Sequence, residues 1–179
     1  MPSRQLRQSE IDLARQVFRD QVPYDKVHIA SYFLPGNEAT PGKEGTPVTV
    51  ASVSSLVPFL SGSRHYTIYF GKDVFDNGAD QPGRDRINFI HEMTHVWQGH
   101  HSRFGWEYMV NSMISQGHAL ITTGDRNTAY DFVPGKPWGS YNVEQQAFLV
   151  QNWFSDGMKT GDADKLYPYV EKNIRAGRN

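Results

Sequence analysis

Ile11, Ala14 and Phe18 recur at helical spacing, so the pattern predicts a helix over residues 9–20, with Ser9 and Asp12 placed as its capping box. After Pro23 the period changes. Val27, Ile29 and Phe33 fall on one face of an alternating run and predict a strand. Residues 34–47, LPGNEATPGKEGTP, hold three prolines and three glycines and read as an exposed loop. An inter-domain linker is the rival reading, but too little chain precedes it to form a separate core. Residues 48–60 are β-branched and apolar, and residues 64–70 alternate His65, Thr67 and Tyr69 against Tyr66, Ile68 and Phe70. Both segments are predicted as strands. Asn77-Gly78 and Pro82-Gly83 punctuate a loop before a helix running from near Asp85 to about His100. A further helix is predicted over 103–116, followed by a turn-rich stretch with Gly124, Pro134, Gly135 and Pro137. Asn142 with Gln145 can cap a helix that continues to Gly157, and residues 164–176 carry a short final helix.

This order predicts an α+β fold in which a small, mainly antiparallel sheet packs on helices. The length, 179 residues, is one domain's worth, so a single domain over 1–179 is expected. Charge narrows the function. Eighteen Lys and Arg against nineteen Asp and Glu leave a net charge of -1, which excludes a broad basic face for nucleic acid or an anionic membrane. The absence of cysteine removes disulfides, thiolate zinc sites, iron–sulfur clusters and cysteine nucleophiles together. No stretch approaches the ~20 apolar residues of a membrane span. The first residues lack an apolar core of signal-peptide length, so any export is expected to use a route other than a cleaved signal.

Against this background one pentapeptide stands out. Residues 91–95 read His-Glu-Met-Thr-His. Positions four apart on a helix lie one above the other, so His91 and His95 share a face and can both ligate one zinc ion. Glu92 sits about 100° round the helix, placed to take a proton from an attacking water rather than to act as a ligand. Phe89, Ile90, Met93, Val96 and Trp97 cover most of the remaining circumference, as a buried helix requires. Two imidazoles and a carboxylate on such a helix cost free energy unless paired or bound to metal. By chance alone the pattern arises in roughly one such chain in a hundred.

A catalytic zinc normally has three protein ligands. Without cysteine the third must be His, Asp or Glu, and His100 and His101 fall at the wrong offsets. Glu144, in SYNVEQQAFLVQNWF, is the favoured donor, with the small Ala147 one turn on allowing close helix approach. The alternative is a first-turn glutamate that only complements the helix dipole; His118 is then the next candidate ligand. Tyr141, Tyr130 and His118 are candidates to stabilise an oxyanion. His100 and His101 read as a solvated helix end, Trp97 and Trp153 as core, and Arg84 and Arg86 as ordinary charged surface.

The blocks NFIHEMTHVWQ and YNVEQQA resemble the zinc metallopeptidase family found with Vgr spike proteins and Rhs elements of bacterial type VI secretion. Weaker likeness extends through SEIDLARQVF, VHI and HYTIYF. The resemblance implies a zincin-like fold, zinc held by His91, His95 and Glu144, and Glu92 as catalytic base. It also implies a toxin effector acting on a protein or peptide substrate, with a secretion spike or adaptor and a cognate immunity protein as partners. Such a protein would leave the bacterial cytoplasm without a cleaved signal and be delivered to a target cell, with its periplasm as the candidate compartment. In that fold the strand at 64–70 is expected at the edge of the cleft, aligning an extended substrate. Two rivals remain: a zinc hydrolase acting on peptide cross-links of the cell wall, and a non-catalytic zinc-containing module for partner binding. The intact Glu92 disfavours the second.

Overall fold

The computed structural model describes residues 2–31, 48–54, 63–102, 132–161 and 164–179. Its elements are β1 (Ser3–Gln5), α1 (Gln8–Phe18), β2 (Val27–Ser31), β3 (Val48–Ser54), β4 (Ser63–Phe70), α2 (Lys72–Asn77), α3 (Arg84–His101), α4 (Val143–Ser155) and α5 (Tyr167–Tyr169). A π-helical turn, Val170–Ile174, continues α5. The helix predicted over 103–116 and the loop at 34–47 lie outside the described residues. So do Phe33, Tyr130 and His118.

The four strands form one mixed sheet in the order β1-β2-β4-β3, with β1–β2 and β3–β4 antiparallel and β2–β4 parallel. The fold is α+β, as the pattern predicted. Strand β4 is interior, however. It is paired on one side with β2 and on the other with β3, so the expectation that 64–70 forms the edge beside the cleft is overturned. Alternation along one strand reports which residues face the core and says nothing about its neighbours, so the sequence pattern could not distinguish edge from centre. The register of β2 on β4 sets Val27 opposite Tyr66 and Ile29 opposite Ile68, all wholly buried. Full burial of an Ile contributes about 1.5–3 kcal/mol.

Helix α1 begins one residue earlier than predicted, and Ser9 does not cap it. Arg7 is its N-cap, and the buried Glu10 carboxylate accepts the Arg7 backbone N–H at 2.8 Å. Glu10 also takes both Arg4 guanidinium nitrogens at 2.8 Å and the Ala79 N–H at 2.9 Å. One carboxylate thus ties β1 and α1 to the turn after α2, where Gly78 holds a left-handed φ of 105°. Helix α3 follows that turn, buried along most of its length from Phe89 to Gly99. The Trp97 indole N–H, inside the core, donates to the Ile174 carbonyl at 3.0 Å and fastens the C-terminal turn to α3. Helix α4 packs along α3. Its predicted cap is present: the Asn142 side chain accepts from Gln145 N–H at 2.8 Å, while the Gln145 side chain accepts from Asn142 N–H at 3.1 Å. Gly157, at φ 86°, follows its end.

Candidate metal centre

The pattern of His91 and His95 becomes geometry because α3 is continuous through both. Their rings meet edge to face, with centroids 4.9 Å apart and Nε2 atoms 3.2 Å apart. The Asn142 cap starts α4 so that Glu144, in its first turn, reaches the same point. Its Oε2 lies 3.3 Å from His91 Nε2 and 3.5 Å from His95 Nε2. Three donor atoms from two helices therefore form a nearly equilateral triangle. These three residues are the group among the described residues able to hold a metal ion. Ligands at roughly 2.0–2.1 Å from a tetrahedral ion are separated by about 3.3–3.4 Å, so the triangle has the size of one tetrahedral face. His95 is nearly buried at 7% side-chain exposure, His91 keeps 14% and Glu144 25%.

The electrostatics favour a cation at this point. Burial pulls the His95 imidazole down, but the Glu144 carboxylate outweighs it; Glu92 adds in the same sense, and the result is pushed up to about 9. Burial likewise raises Glu144, yet His95 and His91 hold its carboxyl well below the usual carboxylate range. Two Nε2 lone pairs and a carboxylate oxygen at these separations repel one another unless a positive charge lies among them. A proton supplies such a charge, and a metal ion able to engage all three atoms would supply it too.

Glu92 is buried, at 5% exposure, and is not one of the three converging groups. Among the oxyanion candidates, the Tyr141 hydroxyl is committed elsewhere. It donates to the Val133 carbonyl at 2.7 Å and accepts from Lys136 N–H at 3.2 Å, bracing the segment before α4. The Trp97 ring stacks on His101, and the His101 Nε2 faces Gln21 Oε1 at 3.3 Å, so His101 belongs to the α3 end and not to the triangle. Trp97 and Trp153 are core, as expected. Sequence reasoning missed Gln98 and Gln146, both buried. The His95 Nδ1 lies 2.8 Å from Gln98 Oε1, and Gln98 Nε2 donates to Gln146 Oε1 at 2.8 Å. Two glutamines within the most specific sequence blocks, on the two helices that carry the histidine pair and Glu144, were the available signal.

No protein-family model matches the chain. Over 180 aligned residues it is 31% identical to the type VI secretion system spike protein VgrG2b of Pseudomonas aeruginosa, a match covering 97% of this chain and 15% of that protein. The fold is similar to the solved effector domain of Pseudomonas aeruginosa VgrG2b, with a TM-score of 0.58 and 26% identity, covering 93% of this chain and 82% of that one. The chain is homologous to the VgrG2b effector domain. This homology links it to type VI secretion spike effectors. The chain thus spans 15% of the spike protein's length and 82% of the solved effector domain. No helix among the described residues is long and apolar enough to cross a membrane.

Proposed function

We propose that this chain is a zinc-dependent metallopeptidase of zincin type that serves as a type VI secretion effector, with His91, His95 and Glu144 holding the metal and Glu92 acting as catalytic base. The observation that carries the reading is the convergence of a same-face histidine pair with a carboxylate from a second helix, at separations of 3.2–3.5 Å. When bound, zinc would supply Lewis acidity toward water and the scissile carbonyl. The chain's own residues do the rest. His91 and His95 present ring-nitrogen donors from one face of α3, and Glu144 contributes a carboxylate to the donor set. Glu92 takes the proton from the attacking water and returns it to the leaving amine nitrogen.

Protein or peptide is the proposed substrate class, and the homology to a spike protein's effector domain supports delivery to a target cell with a spike as partner. Glu92→Gln separates catalysis from binding. The variant should keep zinc content and melting temperature near wild type while hydrolysis or toxicity falls by about 10²–10⁴-fold. Undiminished activity in zinc-loaded Glu92→Gln protein would overturn the enzyme reading. Directing the wild-type chain to the cytoplasm or the periplasm of a sensitive bacterium identifies the compartment in which it acts.

A further inference from the structure

We infer that Gln98 and Gln146 form an oriented amide relay that fixes His95 with its proton on Nδ1 and its lone pair on Nε2, turned toward His91 and Glu144. The inference rests on the metal reading above and makes both glutamines positioning residues for that centre.

The orientation of the relay follows from where it ends. Gln146 Nε2 lies 3.2 Å from the Trp138 carbonyl and 3.4 Å from the Tyr141 carbonyl. Carbonyls only accept, so the nitrogen of Gln146 must face them and its Oε1 must face Gln98. Gln98 Nε2 donates to that oxygen at 2.8 Å and to the Val143 carbonyl at 2.9 Å. Turning Gln98 over would set its oxygen against both of these acceptors. Its Oε1 is therefore left facing His95 Nδ1 at 2.8 Å, and an oxygen there requires an N–H on that ring atom. The lone pair of neutral His95 is thereby placed on Nε2, the atom 3.2 Å from His91 Nε2 and 3.5 Å from Glu144 Oε2. Three backbone carbonyls thus set the tautomer of a histidine through two side-chain amides.

The same carbonyls precede or open α4, the helix that carries Glu144. The relay therefore ties the third donor's helix to the ring it must meet. Gln98 is 1% exposed and Gln146 6%, so water does not substitute for either amide without a change in packing. Partners of this kind typically alter metal affinity by 10–100-fold when removed.

Two substitutions at one position test the relay. Gln98→Leu keeps bulk and removes the acceptor; Gln98→Glu keeps an acceptor for Nδ1–H and removes the donor to Val143 and Gln146. Zinc affinity is measured by competition with a chromophoric chelator, alongside melting temperature and the nitrogen resonances of His95 in zinc-loaded protein. The expected result is a loss of about 10–100-fold in affinity for Gln98→Leu. Gln98→Glu should stay within about threefold of wild type although both variants melt earlier. Equal affinities for all three proteins, or losses that follow melting temperature in both variants, would overturn the inference. If Gln98→Leu does not fold, the wild-type spectrum decides: zinc on His95 Nε2 with a protected Nδ1 proton supports the relay, and zinc on Nδ1 refutes it. Wild-type protein that binds no zinc would instead sink the metal reading itself.

Discussion

Glu10→Gln keeps the shape of a wholly buried side chain and removes its charge where β1, α1 and the turn before α3 are joined. Each carboxylate oxygen accepts two hydrogen bonds: Oε1 from Arg4 and Ala79, Oε2 from Arg4 and Arg7. A glutamine oxygen can serve one of those pairs, while its NH₂ group turns donors against the other. Two unsatisfied donors at about 1–3 kcal/mol each, one of them the guanidinium of a broken buried ion pair, give a loss of about 3–5 kcal/mol. For a chain of this length that lowers the melting temperature by about 6–20 °C. The sign of the pH dependence is also fixed. Burial raises the Glu10 carboxyl, but its Arg4 pair and the Ala79 and Arg7 N–H groups together hold it below its ordinary value. A depressed carboxylate stabilises the fold above its unfolded value and stops doing so as pH falls through the folded one. Thermal unfolding of wild type and variant from neutral to about pH 3 should therefore show the largest difference at neutral pH, narrowing in acid. A neutral-pH shift below about 3 °C, or a gap that widens in acid, would refute the reasoning.

Three further outcomes follow from the site. Glu144→Gln should weaken zinc binding at least about tenfold in chelator competition, because a neutral amide replaces the anionic donor; an unchanged affinity would reduce Glu144 to a helix-start charge. His91→Ala or His95→Ala should largely abolish zinc in elemental analysis, and full retention in either variant would remove the assignment. Tyr141→Phe should cost about 1–2 kcal/mol of stability through its contacts to Val133 and Lys136, with activity within a few-fold of wild type. A fall of more than about a hundredfold at full zinc content would restore Tyr141 as an oxyanion donor.

The amino-acid sequence by itself determined the parts of this protein that depend on neighbours along the chain. A helix repeats every few residues, so His91 and His95 share a face whatever surrounds them, and the Asn142–Gln145 box starts α4 through contacts three residues apart. For the same reason the core face of β4 was legible in Tyr66, Ile68 and Phe70. Ser9 is not the cap, because Arg7 is: Glu10, three residues on, accepts the Arg7 N–H, and the fold adds Ala79, 69 residues away, to the same carboxylate. Only the tertiary structure put β4 in the middle of the sheet, since strand order is set by pairing between distant segments. It also decided that Glu144 reaches the histidine pair across 53 and 49 residues, and that Tyr141 is spent on a neighbouring segment. The glutamine relay is the clearest case. A buried amide has no preferred direction of its own, and the polarity of Gln98 and Gln146 was settled by three carbonyls that the fold brings to one place.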